Sequence, residues 1–258
     1  MKDKLMPKLL APFSLAALML SALLVSGHLA ADADSKHFKI LVYGATGKVG
    51  SQAVNEALNR GHIVTAVSRD PSRITVTHDN LTAVKGDVLD PDSVTSLVAG
   101  QDVVIISVRG VLGKSKDPND AVPRIAVENV VDVLREMEVP APRLIHVGGS
   151  GSLVVKPGVV YADTLPMIFV PRALQTEIEG QVLALEYLRT VSDVDWTYAT
   201  PAKNFTNGKR TGVFRIAGDQ LVESKSGRSR ISRADFAVAL IDEVENAEFI
   251  QQRFSVVY

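Results

Sequence analysis

Cysteine is absent from this 258-residue chain. Disulfides, thiolate zinc sites and a cysteine nucleophile are therefore excluded. Charge of one sign is also lacking, because 28 Lys and Arg offset 29 Asp and Glu for a formal net charge of −1. With no dense basic run in the globular part, no electrostatic footprint for nucleic acid exists and no nucleic-acid partner is expected. Serine-hydrolase motifs and clustered metal ligands are missing as well, so no metal site is expected. The chain does have apolar substance: 46% of its residues are hydrophobic, which suits one globular domain with a substantial core.

Residues 1–35 differ from residues 36–258. Lys2, Lys4 and Lys8 precede an apolar stretch from Leu9 to Val25, and Ala31-Asp32-Ala33 fits a signal-peptidase site. This is the layout of a secretory leader. The same stretch is close to bilayer-spanning length, so an uncleaved anchor is the second reading and the one route to a membrane. Lysines on the N-terminal side send the remainder outward in either case, to a periplasmic or extracellular location. Without a working leader the chain would remain cytoplasmic. No cysteine follows the stretch and no Arg-Arg pair precedes it, which excludes a lipoprotein and counts against twin-arginine export.

From Phe38 onward, strand-length apolar runs alternate with helix-period segments. Strands are expected at 39–43, 62–68, 81–85, 102–107, 143–147 and 195–199. Helices are expected at 49–60, at 92–98 with Asp92 as N-cap, at 121–137 and at 171–190. Such β-α repetition with fully apolar strands predicts an α/β fold: a doubly wound parallel sheet of Rossmann type, covered on both faces. The tail, 211–258, breaks the rhythm with strand-like VFRIA and QLVES, a helix near 233–244 and a final run 254–258. It reads as a small substrate-side cap continuous with the sheet, not a second domain.

Gly44-Ala45-Thr46-Gly47-Lys48-Val49-Gly50 follows the first strand and opens the first helix. Gly44 permits the tight turn, Gly47 clears space for backbone N–H groups to approach a diphosphate, and Gly50 lets the helix pack closely. The helix N-terminus then faces the anion. The second strand ends Ser68-Arg69-Asp70-Pro71-Ser72-Arg73, with Ser68 where an acid would bind the ribose 2′-hydroxyl of NAD. Arg69 and Arg73 fit a 2′-phosphate, so NADP is favoured over NAD. The other reading of the two arginines is solvated loop charge, and Asp70 is placed to neutralise Arg69. Asp87, in Gly86-Asp87-Val88, suits either an adenine amino group or a turn start. Ser107-Val108-Arg109 ends the fourth strand, where the nicotinamide half of a dinucleotide would pass.

These residues resemble a family. YGATGKVG (43–50), SRDPSR (68–73), KGDVLD (85–90), HVGGSGSL (146–153), DWTYATPA (195–202), RTGVFRIAGDQL (210–221) and SRISRADFAVALIDEVEN (229–246) are similar to the atypical short-chain dehydrogenase/reductases, specifically the NmrA-like NAD(P)H-binding branch. Within it the chain resembles the group assigned as NADH-flavin reductases, similar in turn to biliverdin-IXβ/flavin reductase. The resemblance implies that Thr46, Gly47, Lys48 and Val49 contact phosphates and that Arg69 and Arg73 contact the 2′-phosphate. It implies Asp87 and Val88 beside adenine, Ser107 to Arg109 beside ribose, and Gly148 to Ser150 beside the nicotinamide. Lys203 stands where biliverdin/flavin reductases have a histidine, a departure on the tetrapyrrole side. An exported N-terminus departs from the cytosolic pattern too, since the coenzyme is an intracellular metabolite.

The Tyr-x-x-x-Lys pair of orthodox members is missing, because the fourth residue after Tyr161 is Leu165. Tyr161 reads as a loop or pocket residue. Ser150 and Ser152 offer hydroxyls to orient an acceptor or serve as turn residues, and Lys203 reads as an anion contact or a surface lysine. Ser150 and Lys203 are thus the candidate catalytic residues. His146 reads as a satisfied core histidine, and Trp196 and Tyr198 as packing. The expected partner is a small-molecule acceptor reduced by NADPH. The alternative is a redox-sensing protein of the NmrA type that binds coenzyme without turnover.

Overall fold

In a computed structural model, which describes residues 36–137 and 140–258, KILVY forms strand β1 (Lys39–Tyr43). Successive side chains of a strand point to opposite faces. Ile40 and Val42 accordingly enter one buried cluster, and Leu41 and Tyr43 another. The leader-or-anchor reading falls on residues outside those described.

The chain continues through α1 (Gly50–Asn59), β2 (Ile63–Ser68), β3 (Leu81–Lys85), α2 (Pro91–Val98), β4 (Val103–Ile106), α3 (Val122–Glu136) and β5 (Arg143–Val147). A small hairpin, β6 (Val154–Lys156) and β7 (Val159–Val160), leads to α4 (Arg172–Leu188) and β8 (Trp196–Pro201). Then come β9 (Asn204–Thr206), β10 (Arg215–Ala217), β11 (Arg230–Ser232), α5 (Arg233–Asn246) and β12 (Gln252–Val257). The main sheet has the order β10-β12-β8-β5-β4-β1-β2-β3. Its pairings are parallel except that of β10 with β12. From β1 the chain steps out to β2 and β3, then crosses back to β4. That reversal opens a crevice beyond the carboxyl ends of β1 and β4, the place where doubly wound sheets take ligands.

Both faces are covered. Ala53, Val54 and Ala57 of α1 and Ile241 and Val244 of α5 share one core with Ile40 and Val42. Val94, Val130 and Leu185, from α2, α3 and α4, share the other with Leu41. Among the described residues no helix is long and apolar enough to cross a membrane.

Three expectations need correction. Asp90, not Asp92, caps α2: its carboxylate accepts the Asp92 N–H at 3.1 Å. Pro91 explains the shift, because it holds the preceding residue in the extended conformation that an N-cap requires. Not every strand is buried on both faces. β3 is the edge strand, with Thr82 and Ala83 exposed. The tail is continuous with the sheet as expected, supplying β12 and β10 to it and packing α5 beside α1. QLVES forms no strand; Gln220 makes one isolated bridge to Val154 of the three-residue β6.

Candidate functional site

The turn from β1 into α1 is built on close approaches. Gly44 has φ +76°, and a Cβ there would lie 2.1 Å from the Ser107 carbonyl oxygen. A Cβ on Gly50 would lie 2.2 Å from the Gly44 carbonyl oxygen, so Gly50 is bare to let the helix start meet the turn rather than the sheet. The Gly47 N–H donates to the Gly44 carbonyl at 2.8 Å and closes the loop. Val49 is the N-cap of α1 and offers no side-chain cap. The N–H groups of Thr46, Lys48 and Val49 find no acceptor among the described residues. Unpaired amides at the positive end of a helix dipole form an anion site.

These amides open into a cleft of about 570 Å³ running across the strand ends. Gly44, Thr46, Gly47, Lys48, Val49, Arg69, Asp87, Val88, Ser107, Arg109, Gly148 and Ser150 all line it. Gly50, Arg73 and Lys203 are not among its lining residues. Arg73 ends a short 3-10 turn, exposed. Asp70 makes no ion pair with Arg69 among the described residues; its Oδ1 accepts the Ser72 N–H at 3.2 Å and the Ser72 hydroxyl at 2.6 Å. Asp87 serves as a turn residue through one oxygen, which accepts the Leu89 N–H at 3.0 Å. Its other oxygen takes no hydrogen bond among the described residues, so the turn and ligand readings coexist.

Beyond Ser107 the cleft changes character. Gly148 lies against the Tyr198 ring, where a Cβ would come within 2.0 Å of a ring carbon. Ser150 lines the cleft. Ser152 instead is buried, donating to the Gly149 carbonyl and accepting from Arg253. Apolar walls come from Tyr161, Leu165, Leu174, Ile178 and Phe205. The Arg109 Nε donates to Glu177 Oε1 at 2.7 Å, joining the end of β4 to α4. Lys203 pairs with Glu223, and its Nζ lies 5.5 Å from the centroid of the Tyr161 ring. Folding thus brings a lysine to this tyrosine without the four-residue helical spacing.

His146 is less satisfied than expected. Its Nε2 bonds Gln181 Oε1 at 3.0 Å, but Nδ1 is buried without a partner. Burial holds its pKa down to about 4, against a partial rise from the Gln181 bond. Gln181 also accepts the Tyr198 hydroxyl through its backbone oxygen at 2.8 Å. Burial pushes that phenol up to about 12.

Several cleft residues were not singled out from the sequence. Tyr43 is 2% exposed, and its hydroxyl has no partner among the described residues. Its position just before Gly44 was the available signal. Leu174, Glu177, Ile178 and Gln181 follow i, i+3, i+4, i+7 spacing, and all four line the cleft; their mixed polarity hid the stripe. Phe205 and Arg233 meet through the pairing of β9 with β11, which no local pattern announces.

The sheet reversal and glycine turn define a Rossmann-type dinucleotide-binding protein. More narrowly, the chain belongs to the NAD(P)H-binding family, whose model matches residues 44–247. It is similar to a candidate exported protein of Burkholderia pseudomallei, 36% identical with a TM-score of 0.71 over 86% of this chain and 100% of that one. A candidate epimerase of Bacteroides thetaiotaomicron is 32% identical, with a TM-score of 0.76 over 86% and 98%. A candidate NADH-flavin reductase of Streptococcus pneumoniae is 28% identical, with a TM-score of 0.70 over 85% and 99%. These relatives share the coenzyme fold and carry names from different chemistries, so the reaction must be argued from the cleft.

Proposed function

We propose that this protein is an NADP(H)-dependent reductase of a flavin, quinone or related conjugated acceptor. The observation that carries this reading is one continuous cleft with two halves, unpaired loop amides in the first and apolar walls beside Gly148–Ser150 in the second. The similarity to the streptococcal candidate flavin reductase supports it. The bound coenzyme supplies the hydride. The protein's part is to position the two rings and exclude water. The amides of Thr46, Lys48 and Val49 with the Lys48 side chain hold the diphosphate, and Arg69 reads the 2′-phosphate. The open oxygen of Asp87 accepts from the adenine amino group. Ser107 and Arg109 flank the ribose, Gly148 lies beside the nicotinamide, and the Ser150 hydroxyl orients an acceptor oxygen.

The test follows NADPH absorbance with FMN, riboflavin, quinones and biliverdin. Acceptor-dependent oxidation is expected; coenzyme binding with no oxidation by any acceptor would defeat the reductase reading. It would instead support a coenzyme-sensing protein, a reading favoured by one observation, the engagement of Lys203 by Glu223. For coenzyme choice, Arg69→Asp weakens NADP binding about 10- to 100-fold more than NAD binding, the scale of a lost charge-assisted pair. Equal loss of both coenzymes in a binding titration would refute the 2′-phosphate assignment. Residues 1–35 direct export in this proposal, and the Burkholderia relative supports it; recovery of the protein only from cytoplasm on cell fractionation would overturn it.

A further inference from the structure

Arg233 is out of keeping with the other covered arginines. Five arginines are not exposed: Arg60, Arg124, Arg143, Arg233 and Arg253. Four of them pair with carboxylates: Arg60 with Glu56, Asp242 and Glu245, Arg124 with Glu128, Arg143 with Glu243, and Arg253 with Asp219. Arg233 has no carboxylate partner among the described residues. Its Nη1 donates to the neutral Asn207 Oδ1 at 2.7 Å, and its guanidinium carbon lies 5.2 Å from the Phe205 ring centroid. It is also the first residue of α5, after the N-cap Ser232. There the helix dipole opposes a positive charge. A partly buried cation without a counter-charge, at the wrong end of a helix, is unfavourable in the empty protein. Yet this residue lines the cleft.

We propose that Arg233 is an anion subsite for an acidic group, phosphate or carboxylate, carried by the acceptor. The inference rests on the acceptor reading above. Two sources of such an anion exist, the coenzyme diphosphate and the acceptor. The loop amides already serve the diphosphate. Arg233 enters from the tail beside Phe205, which with Pro201 and Ala202 forms the lining at and beyond the end of β8. Asn207 and Phe205 hold the guanidinium from its flanks without cancelling its charge. A planar acceptor bearing an acidic side arm satisfies the apolar walls and the guanidinium together.

FMN and riboflavin isolate this contact, because they share a ring system and differ by one phosphate. Each is titrated into the full-length protein saturated with NADP+, with flavin fluorescence as readout. The wild type is expected to bind FMN about 10-fold or more tighter than riboflavin, the scale of a charge-assisted pair. Arg233→Gln removes that preference by weakening FMN alone, and Arg233→Lys retains part of it. Loss of a cation from the start of α5 leaves the thermal midpoint of Arg233→Gln at or above wild type. Equal binding of the two flavins, no binding of FMN, or an undiminished preference in Arg233→Gln would overturn the proposal. So would a variant that weakens NADP+ instead, which assigns the arginine to the coenzyme. The preceding reading fails separately: selective FMN binding without NADPH oxidation removes the reductase and leaves the subsite. NADPH oxidation with no phosphate preference does the reverse.

Discussion

Tyr43, which lines the cleft, buries a hydroxyl that has no partner among the described residues. Burial first, and the charge of Asp87 second, push its pKa up, so it stays protonated. An unsatisfied buried hydroxyl is a net cost to the empty protein. Tyr43→Phe is therefore expected to leave the urea midpoint unchanged or to raise stability by up to about 1 kcal/mol. A loss larger than that in a denaturation curve would mean that the hydroxyl has a partner after all. At this scale the sequence was informative where chemistry is local. Thr46–Val49 could be named as cleft residues because a glycine turn fixes its neighbours, and Arg69 and Asp87 because they stand just beyond the carboxyl ends of strands. Arg73 was placed with Arg69 on proximity in sequence, and the 3-10 turn carries it off the cleft.

Helix α5 is tied to the tail by a carboxylate rather than by its apolar face alone. Asp235, fully buried, accepts the Thr211 N–H at 2.6 Å, the Thr211 hydroxyl and Gly212 N–H at 2.8 Å each, and the Tyr258 hydroxyl at 2.6 Å. Burial works to raise its pKa, but hydrogen bonds from Tyr258, Gly212 and Thr211 leave it below the ordinary carboxylate value. Arg210, bidentate on Glu56, fastens the adjoining segment to α1. Asp235→Ala frees four donors at once and is expected to cost about 2–4 kcal/mol. Hydrogen exchange should quicken at the amides of 211 and 212; an unchanged exchange pattern would deny the anchoring role. Elements were legible where the apolar period was strong, as in β1, β4, β5 and α3. In the tail, VFRIA, the helix near 233–244 and the run 254–258 were legible and form β10, α5 and β12; the pairing of the three-residue strands β9 and β11 was not, because the partners lie far apart in sequence. Strands so short carry no period of their own.

At the scale of the whole molecule, one buried imidazole ties stability to pH on the acid side of neutrality. His146 is neutral in the fold, with a pKa of about 4 against 6.5 in the open chain. Between these values the unfolded state binds the extra proton. Its share of stability is thus complete above about pH 6.5, declines towards pH 4 and is flat below, amounting to about 3 kcal/mol. His146→Leu should flatten the stability-versus-pH curve over that window; an unaltered slope in pH-dependent urea melts would exonerate the imidazole. The doubly wound class followed from alternating strand and helix patterns, whereas the sheet's far edge did not, since it arises from contacts no window spans. That edge also has a temporal meaning. In the main sheet β10 adjoins β12 alone, and β12 in turn leans on β8. Residues 215–217 therefore wait, unpaired, until a segment some forty positions downstream has docked. Closing this border thus depends on a pairing distant in sequence, which makes it a slow contact to form.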